Sequence, residues 1–135
     1  EGMQGAILGV KLKYIDEWNE KRRKNAKIYN NFLEDSKVKI PIEKPYVKHV
    51  YHVYSIKSNN REELKKHLES NGISTAIHYP VPTHLQEAFG HLGHKKGAFP
   101  TTEDHANKIL SLPMYPELTH DQIEYISNKI KDFKV

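Results

Sequence analysis

A chain of 135 residues, 37% of them hydrophobic, with seven Gly and seven Pro, can bury one core and lacks the bias of a disordered or low-complexity segment. No apolar run approaches the ~20 residues of a membrane helix, no basic-then-apolar leader opens the sequence, and the lack of Cys excludes disulfides and thiolate metal sites, so a cytoplasmic location is expected. The formal charge of +4 does not define a nucleic-acid surface, because acids and bases interleave (Glu17 with Lys21, Glu20 with Lys24) and no RNA-binding or zinc-finger motif occurs.

Gly2 to about Leu33 reads as one long helix. Met3, Ile7, Val10, Tyr14, Trp18, Tyr29 and Phe32 follow three- and four-residue steps, and Ala6, Ile15 and Leu33 widen the stripe. Its middle, 20–27, is polar almost all round. A helix of ~30 residues extends roughly 45 Å, longer than so small a domain is wide. Part of it is therefore expected to pack against something outside this chain. The start Glu1-Gly2-Met3-Gln4 lacks a capping side chain, which predicts a chain cut inside an element.

Val38–Pro41 predicts a short strand, and the β-rich run Val50–Ile56 a longer one. A helix over Arg61–Ser70 follows, with Asn60 and Glu63 as a capping pair, Leu64 and Leu68 inward and Gly72 at its end. Ile73–His78 predicts another strand. The stretch from Tyr79 to Pro100 is loop-rich, with a helical turn around Leu85–Leu92. Thr101 or Thr102 is expected to cap a helix through Leu110, which Ser111-Leu112-Pro113 ends. The last helix starts at Thr119, paired with Gln122, and presents Ile123, Ile126, Ile130 and Phe133. These elements predict an α/β (α+β) two-layer fold, with helices covering a small, mainly antiparallel sheet.

The densest chemical patch is His78-Tyr79-Pro80-Val81-Pro82-Thr83-His84-Leu85-Gln86, at the exit of a strand and stiffened by two prolines. Imidazole and phenol both donate and accept hydrogen bonds, which suits hydroxylated or phosphorylated ligands. Spacing alone leaves two readings open: a ligand site, or residues that finish a strand and satisfy the loop. His84, His91 and His94 raise a metal site, but no His-Glu-x-x-His motif or adjacent carboxylate cluster supports one. Ser111 lacks the glycines of a nucleophile elbow, and the lysines lie in polar runs. No catalytic nucleophile is evident.

The run Met3-Gln4-Gly5-Ala6-Ile7-Leu8-Gly9-Val10-Lys11-Leu12, then Asp16-Glu17-Trp18-Asn19 and Arg22-Arg23, resembles the DegT/DnrJ/EryC1/StrS family of pyridoxal-phosphate-dependent sugar-nucleotide aminotransferases. The resemblance continues in order through Val50-Tyr51-His52-Val53-Tyr54, Gly72-Ile73, His78-Tyr79-Pro80-Val81-Pro82, His84-Leu85-Gln86, Phe99-Pro100 and Leu110-Ser111-Leu112-Pro113-Met114-Tyr115-Pro116. It implies the small C-terminal domain of a fold-type I aminotransferase: residues 1–34 as a long connecting helix, residues 35–135 as the small α/β domain.

The resemblance further implies a homodimeric parent that moves an amino group, with glutamate as donor, onto a keto-sugar nucleotide for amino-sugar or surface-polysaccharide synthesis. The motifs lean towards the 3-keto branch. His78, Tyr79 and His84 would be substrate-binding residues. Pyridoxal phosphate and its lysine would belong to the missing large domain, and the fragment would bind no cofactor and be inactive alone. The competing class is a non-catalytic binding or interaction module of the same fold. Gly5 and Gly9 depart from the family's alanine and bulkier residue. Each costs up to ~1 kcal/mol against Ala in a helix, so the first turns are expected to fray.

Overall fold

In the computed structural model, which describes residues 1–134, the expected long helix is two: α1 (Gly2–Leu12) and α2 (Ile15–Leu33). Lys13 and Tyr14 keep right-handed dihedrals, but the Tyr14 N–H donates to the Lys11 carbonyl at 3.0 Å. That three-residue step tightens the ladder for one turn, and α2 resumes with the Trp18 N–H on the Tyr14 carbonyl. No residue of α1 is buried. The polar middle of the expected helix is not polar all round, since Asn25 and Ala26 face inward with Tyr29 and Leu33 against the rest of the core. Asn25 tolerates burial because its amide donates to the Tyr115 carbonyl at 3.0 Å.

The sheet has two antiparallel strands, β1 (Tyr54–Lys57) and β2 (Ile109–Leu112), in the register Tyr54↔Leu112, Ser55↔Ser111, Ile56↔Leu110 and Lys57↔Ile109. Four sequence expectations are corrected. The run Val50–Ile56 contributes only its end to a strand, because Tyr51 takes φ +47°, a left-handed backbone that interrupts pairing. Val38–Pro41 shrinks to the bridge Lys39↔Lys57, and Ile73–His78 to the bridge Ala76↔Ser111. The helix expected to run through Leu110 stops at Lys108, and Ile109–Leu112 forms β2 instead. Leu110 is buried either way; pairing with the distant β1 decides its backbone.

Helix α3 (Arg61–Ser70) has the expected limits, although Asn60 makes no side-chain cap. Its end closes as the sequence requires: Gly72 sits at φ +73°, and the Ile73 N–H reaches back to the Leu68 carbonyl at 2.9 Å. Neither Thr101 nor Thr102 caps α4 (Pro100–Lys108), which begins on Pro100 after Phe99. Helix α5 (His120–Asp132) carries the predicted capping box, Gln122 N–H to Thr119 Oγ1 at 3.3 Å and Thr119 N–H to Gln122 Oε1 at 3.0 Å.

The core joins Tyr29 and Leu33 of α2, Leu64 and Leu68 of α3, both strands, and Ile123, Ile126 and Ile130 of α5. Between the strands, residues 79–99 carry only short 3-10 turns, Thr83–Leu85 and Glu87–Leu92. Among the described residues no helix is long and apolar enough to cross a membrane.

Candidate functional site

Ser111 is the point where three backbone segments meet. On one side it pairs with Ser55 of β1. On the other, its N–H donates to the Ala76 carbonyl at 2.7 Å and its carbonyl accepts from the Ala76 N–H at 3.1 Å. The side chain is held as firmly: Ser111 Oγ lies 2.9 Å from Ser55 Oγ and 2.9 Å from His78 Nδ1. Ser111 and His78 edge a cleft of ≈ 230 Å³ lined also by His52, Thr75, Pro113 and Met114 among others. The Thr75 hydroxyl is enclosed there without a hydrogen-bond partner.

A second network holds the segment that leads into His52. The Arg23 guanidinium donates to Glu43 Oε1 and to the His49 carbonyl, each at 2.6 Å, and Glu43 also accepts from the His49 N–H at 2.8 Å. The guanidinium first, then the His49 amide, hold the Glu43 carboxyl below its usual range. His49 Nδ1 accepts from the Tyr51 N–H at 2.8 Å, stabilising the left-handed residue that precedes His52.

Of the sequence-predicted residues, His78 reaches this cleft, and its ring meets that of Tyr79 edge-on at 5.4 Å across a cis peptide bond. Tyr79 is 71% exposed. His84 lies outside the lining. It is buried, packed edge-on to Phe99 at 4.8 Å, and its Nε2 contacts Glu103 Oε1 at 3.0 Å. Glu103 also accepts from the Gly97 N–H at 2.8 Å and the Phe99 N–H at 3.4 Å. Desolvation pushes the Glu103 carboxyl up, but the hydrogen bonds from Gly97, His84 and Phe99 together outweigh it and leave it below its ordinary value.

The metal arrangement weighed from sequence does not assemble: His84 turns to Glu103, His91 Nδ1 to the Ala88 carbonyl at 3.1 Å, and His94 to the Phe99 ring. Sequence reasoning missed Ser55, Thr75 and the positioning of Ser111. The available signal was polar residues standing in runs otherwise rich in Ile, Leu and Tyr.

A profile of the DegT/DnrJ/EryC1/StrS aminotransferase family matches residues 1–131. The chain belongs to this family. It is 44% identical over 134 residues to the pleiotropic regulatory protein of Geobacillus stearothermophilus, covering 97% of this chain and 36% of that protein. It is 35% identical over 129 residues to the UDP-N-acetyl-3-dehydro-alpha-D-glucosamine 3-aminotransferase of Acidithiobacillus ferrooxidans, covering 96% and 34%. Its fold superimposes on crystalline S. venezuelae DesV, solved in complex with a ketimine intermediate, with a TM-score of 0.91 at 33% identity, over 96% of this chain and 35% of that one. The chain thus spans about a third of the length of the relatives it matches. Those relatives include named sugar-nucleotide aminotransferases, and the neighbouring structures are aminotransferases of fold type I.

Pyridoxal phosphate, on which the family depends, needs a lysine that burial or a cationic neighbour makes nucleophilic. No lysine among the described residues is buried. Lys57 Nζ, one of the less exposed, is engaged by His105 Nε2 at 3.0 Å. The residues present do not fit the cofactor's covalent anchor.

Proposed function

We propose that this chain is the substrate-facing small domain of an aminotransferase that transfers an amino group, from glutamate as donor, to the 3-keto position of a sugar nucleotide. His78 carries the reading: its ring is fixed at the edge of the cleft by Ser111 while its other nitrogen is left for a ligand. The relative named as a 3-aminotransferase of a UDP-linked 3-dehydro sugar supports the regiochemistry.

In this reading residues 1–34 connect to a large domain that supplies pyridoxal phosphate and its lysine, and residues 35–135 form the small domain. The parent is a cytoplasmic homodimer serving amino-sugar or surface-polysaccharide synthesis, and this chain alone is inactive. His78 and Tyr79 contact sugar hydroxyl or diphosphate oxygens, which neutral imidazole and phenol do without burying a permanent charge. His84, the third substrate-binding residue of this reading, is held by Glu103 on the loop that follows Tyr79.

The test is His78→Ala in the full-length enzyme. Losing such a hydrogen bond costs roughly 1–3 kcal/mol, or about one to two decades in kcat/KM for the sugar nucleotide. The half-reaction with the amino-acid donor should stay near normal. Equal damage to both half-reactions, or to neither, would return His78 to a structural role.

A further inference from the structure

We propose that Ser111, backed by Ser55, is a positioning residue that fixes the tautomer of His78 and so turns its outward nitrogen into a hydrogen-bond donor for the ligand. The inference rests on reading His78 as a sugar-nucleotide contact, and goes beyond it by assigning the proton. Ser55 and Ser111 are cross-strand partners, and their hydroxyl oxygens are 2.9 Å apart. Ser111 is 4% exposed, so water is a poor alternative partner for its hydroxyl. Its backbone is bonded to Ala76 in both directions, which leaves the side chain a fixed origin from which to reach His78 Nδ1.

A serine hydroxyl has one proton to donate and two lone pairs to accept with. With Ser55 donating to Ser111 and Ser111 donating to Nδ1, each hydroxyl is satisfied and all the protons run towards His78. A neutral imidazole that accepts at Nδ1 must carry its proton on Nε2. The reverse arrangement, with Nδ1–H donating to Ser111, would present a lone pair on Nε2 to the oxygens of a diphosphate or a sugar. Phosphate oxygens only accept, so the first arrangement attracts a diphosphate and the second repels it, whereas a sugar hydroxyl can pair with either. Neutral histidine also prefers the Nε2–H tautomer intrinsically, and the two effects act together.

Nitrogen-15 spectra of the histidines in the full chain test the assignment without substrate. His78 should show a protonated Nε2 and an accepting Nδ1. In Ser111→Ala the two tautomers should mix, and in Ser55→Ala the ring should shift partway. Each variant removes a single oxygen atom, and an unchanged circular-dichroism spectrum verifies folding. In the full-length enzyme, Ser111→Ala should raise KM for the sugar nucleotide about three- to tenfold while the amino-donor half-reaction stays within about twofold. A His78 ring protonated on Nδ1 in the parent protein, or one indifferent to Ser111→Ala, overturns the proposal. A tautomer that responds as expected, beside normal sugar-nucleotide turnover in His78→Ala, supports the relay and overturns instead the assignment of His78 to the substrate.

Discussion

The Tyr29 hydroxyl donates to the Pro113 carbonyl at 3.0 Å, tying the inner face of α2 to the chain just beyond β2. One turn earlier Asn25 does the same for Tyr115, so the segment that closes the candidate cleft hangs from two polar side chains of one helix. Tyr29 is fully buried and stacks on Tyr54 at 4.8 Å, and burial drives its hydroxyl well above the usual phenol range. It remains a neutral donor at any physiological pH.

Tyr29→Phe should therefore keep the packing and lose one bond, leaving the Pro113 carbonyl unmatched. The expected loss is about 1–2 kcal/mol, read as a lower urea midpoint with an unchanged slope. An unaltered midpoint would show that water replaces the hydroxyl.

Glu103 predicts an acid-sensitive loop. Its carboxyl titrates below the ordinary value of 4.5 when folded, because the bonds from Gly97, His84 and Phe99 outweigh desolvation. A depressed carboxylate stabilises the fold fully above its unfolded pKa, and that contribution disappears as pH falls through the folded one. Stability should thus decline below 4.5, and Glu103→Gln should flatten this part of the profile. Urea midpoints measured down the pH scale check it. The same decline in Glu103→Gln would assign the effect to other carboxylates.

The apolar side of α1 predicts association. Met3, Ile7, Leu8, Val10 and Leu12 are all exposed, and Leu8, Leu12 and Ile15 form a hollow with Trp18. A surface of this kind seeks cover. Sedimentation velocity should show a weight-average size rising with concentration, and Leu8→Glu with Leu12→Glu should suppress the rise. A parent chain that stays monomeric at high concentration would refute this.

The exposure of the lysines predicts that pyridoxal phosphate finds no anchor on this polypeptide. After incubation with the cofactor, borohydride treatment and peptide mapping, no single lysine should be labelled stoichiometrically. One lysine fully labelled would overturn the expectation.

Local chemistry was readable where the chain acts alone. Helix α3 follows from the spacing of Leu64 and Leu68 and from Gly72, and α5 from the Thr119–Gln122 pair. The antiparallel two-layer plan was also legible. What sequence could not reveal was non-local. Leu110 fits a helix as well as a strand until Ile56 lies opposite it, and nothing near Tyr51 announces its left-handed backbone. For the same reason His78 was visible as a candidate but its partner was not. Ser111 stands 33 residues away, and only the pairing of β2 with Ala76 brings it to the ring.

The excursion between the strands has a further consequence. No residue from 79 to 99 belongs to the hydrophobic core, although both strands that bracket this stretch do. Cohesion is therefore written outside this stretch of the sequence. Mutation can rework the loop with little penalty to folding, as long as the Glu103 anchor and the prolines persist. The β1–β2 pair keeps Ser111 in place beneath His78 whatever the excursion beyond it becomes.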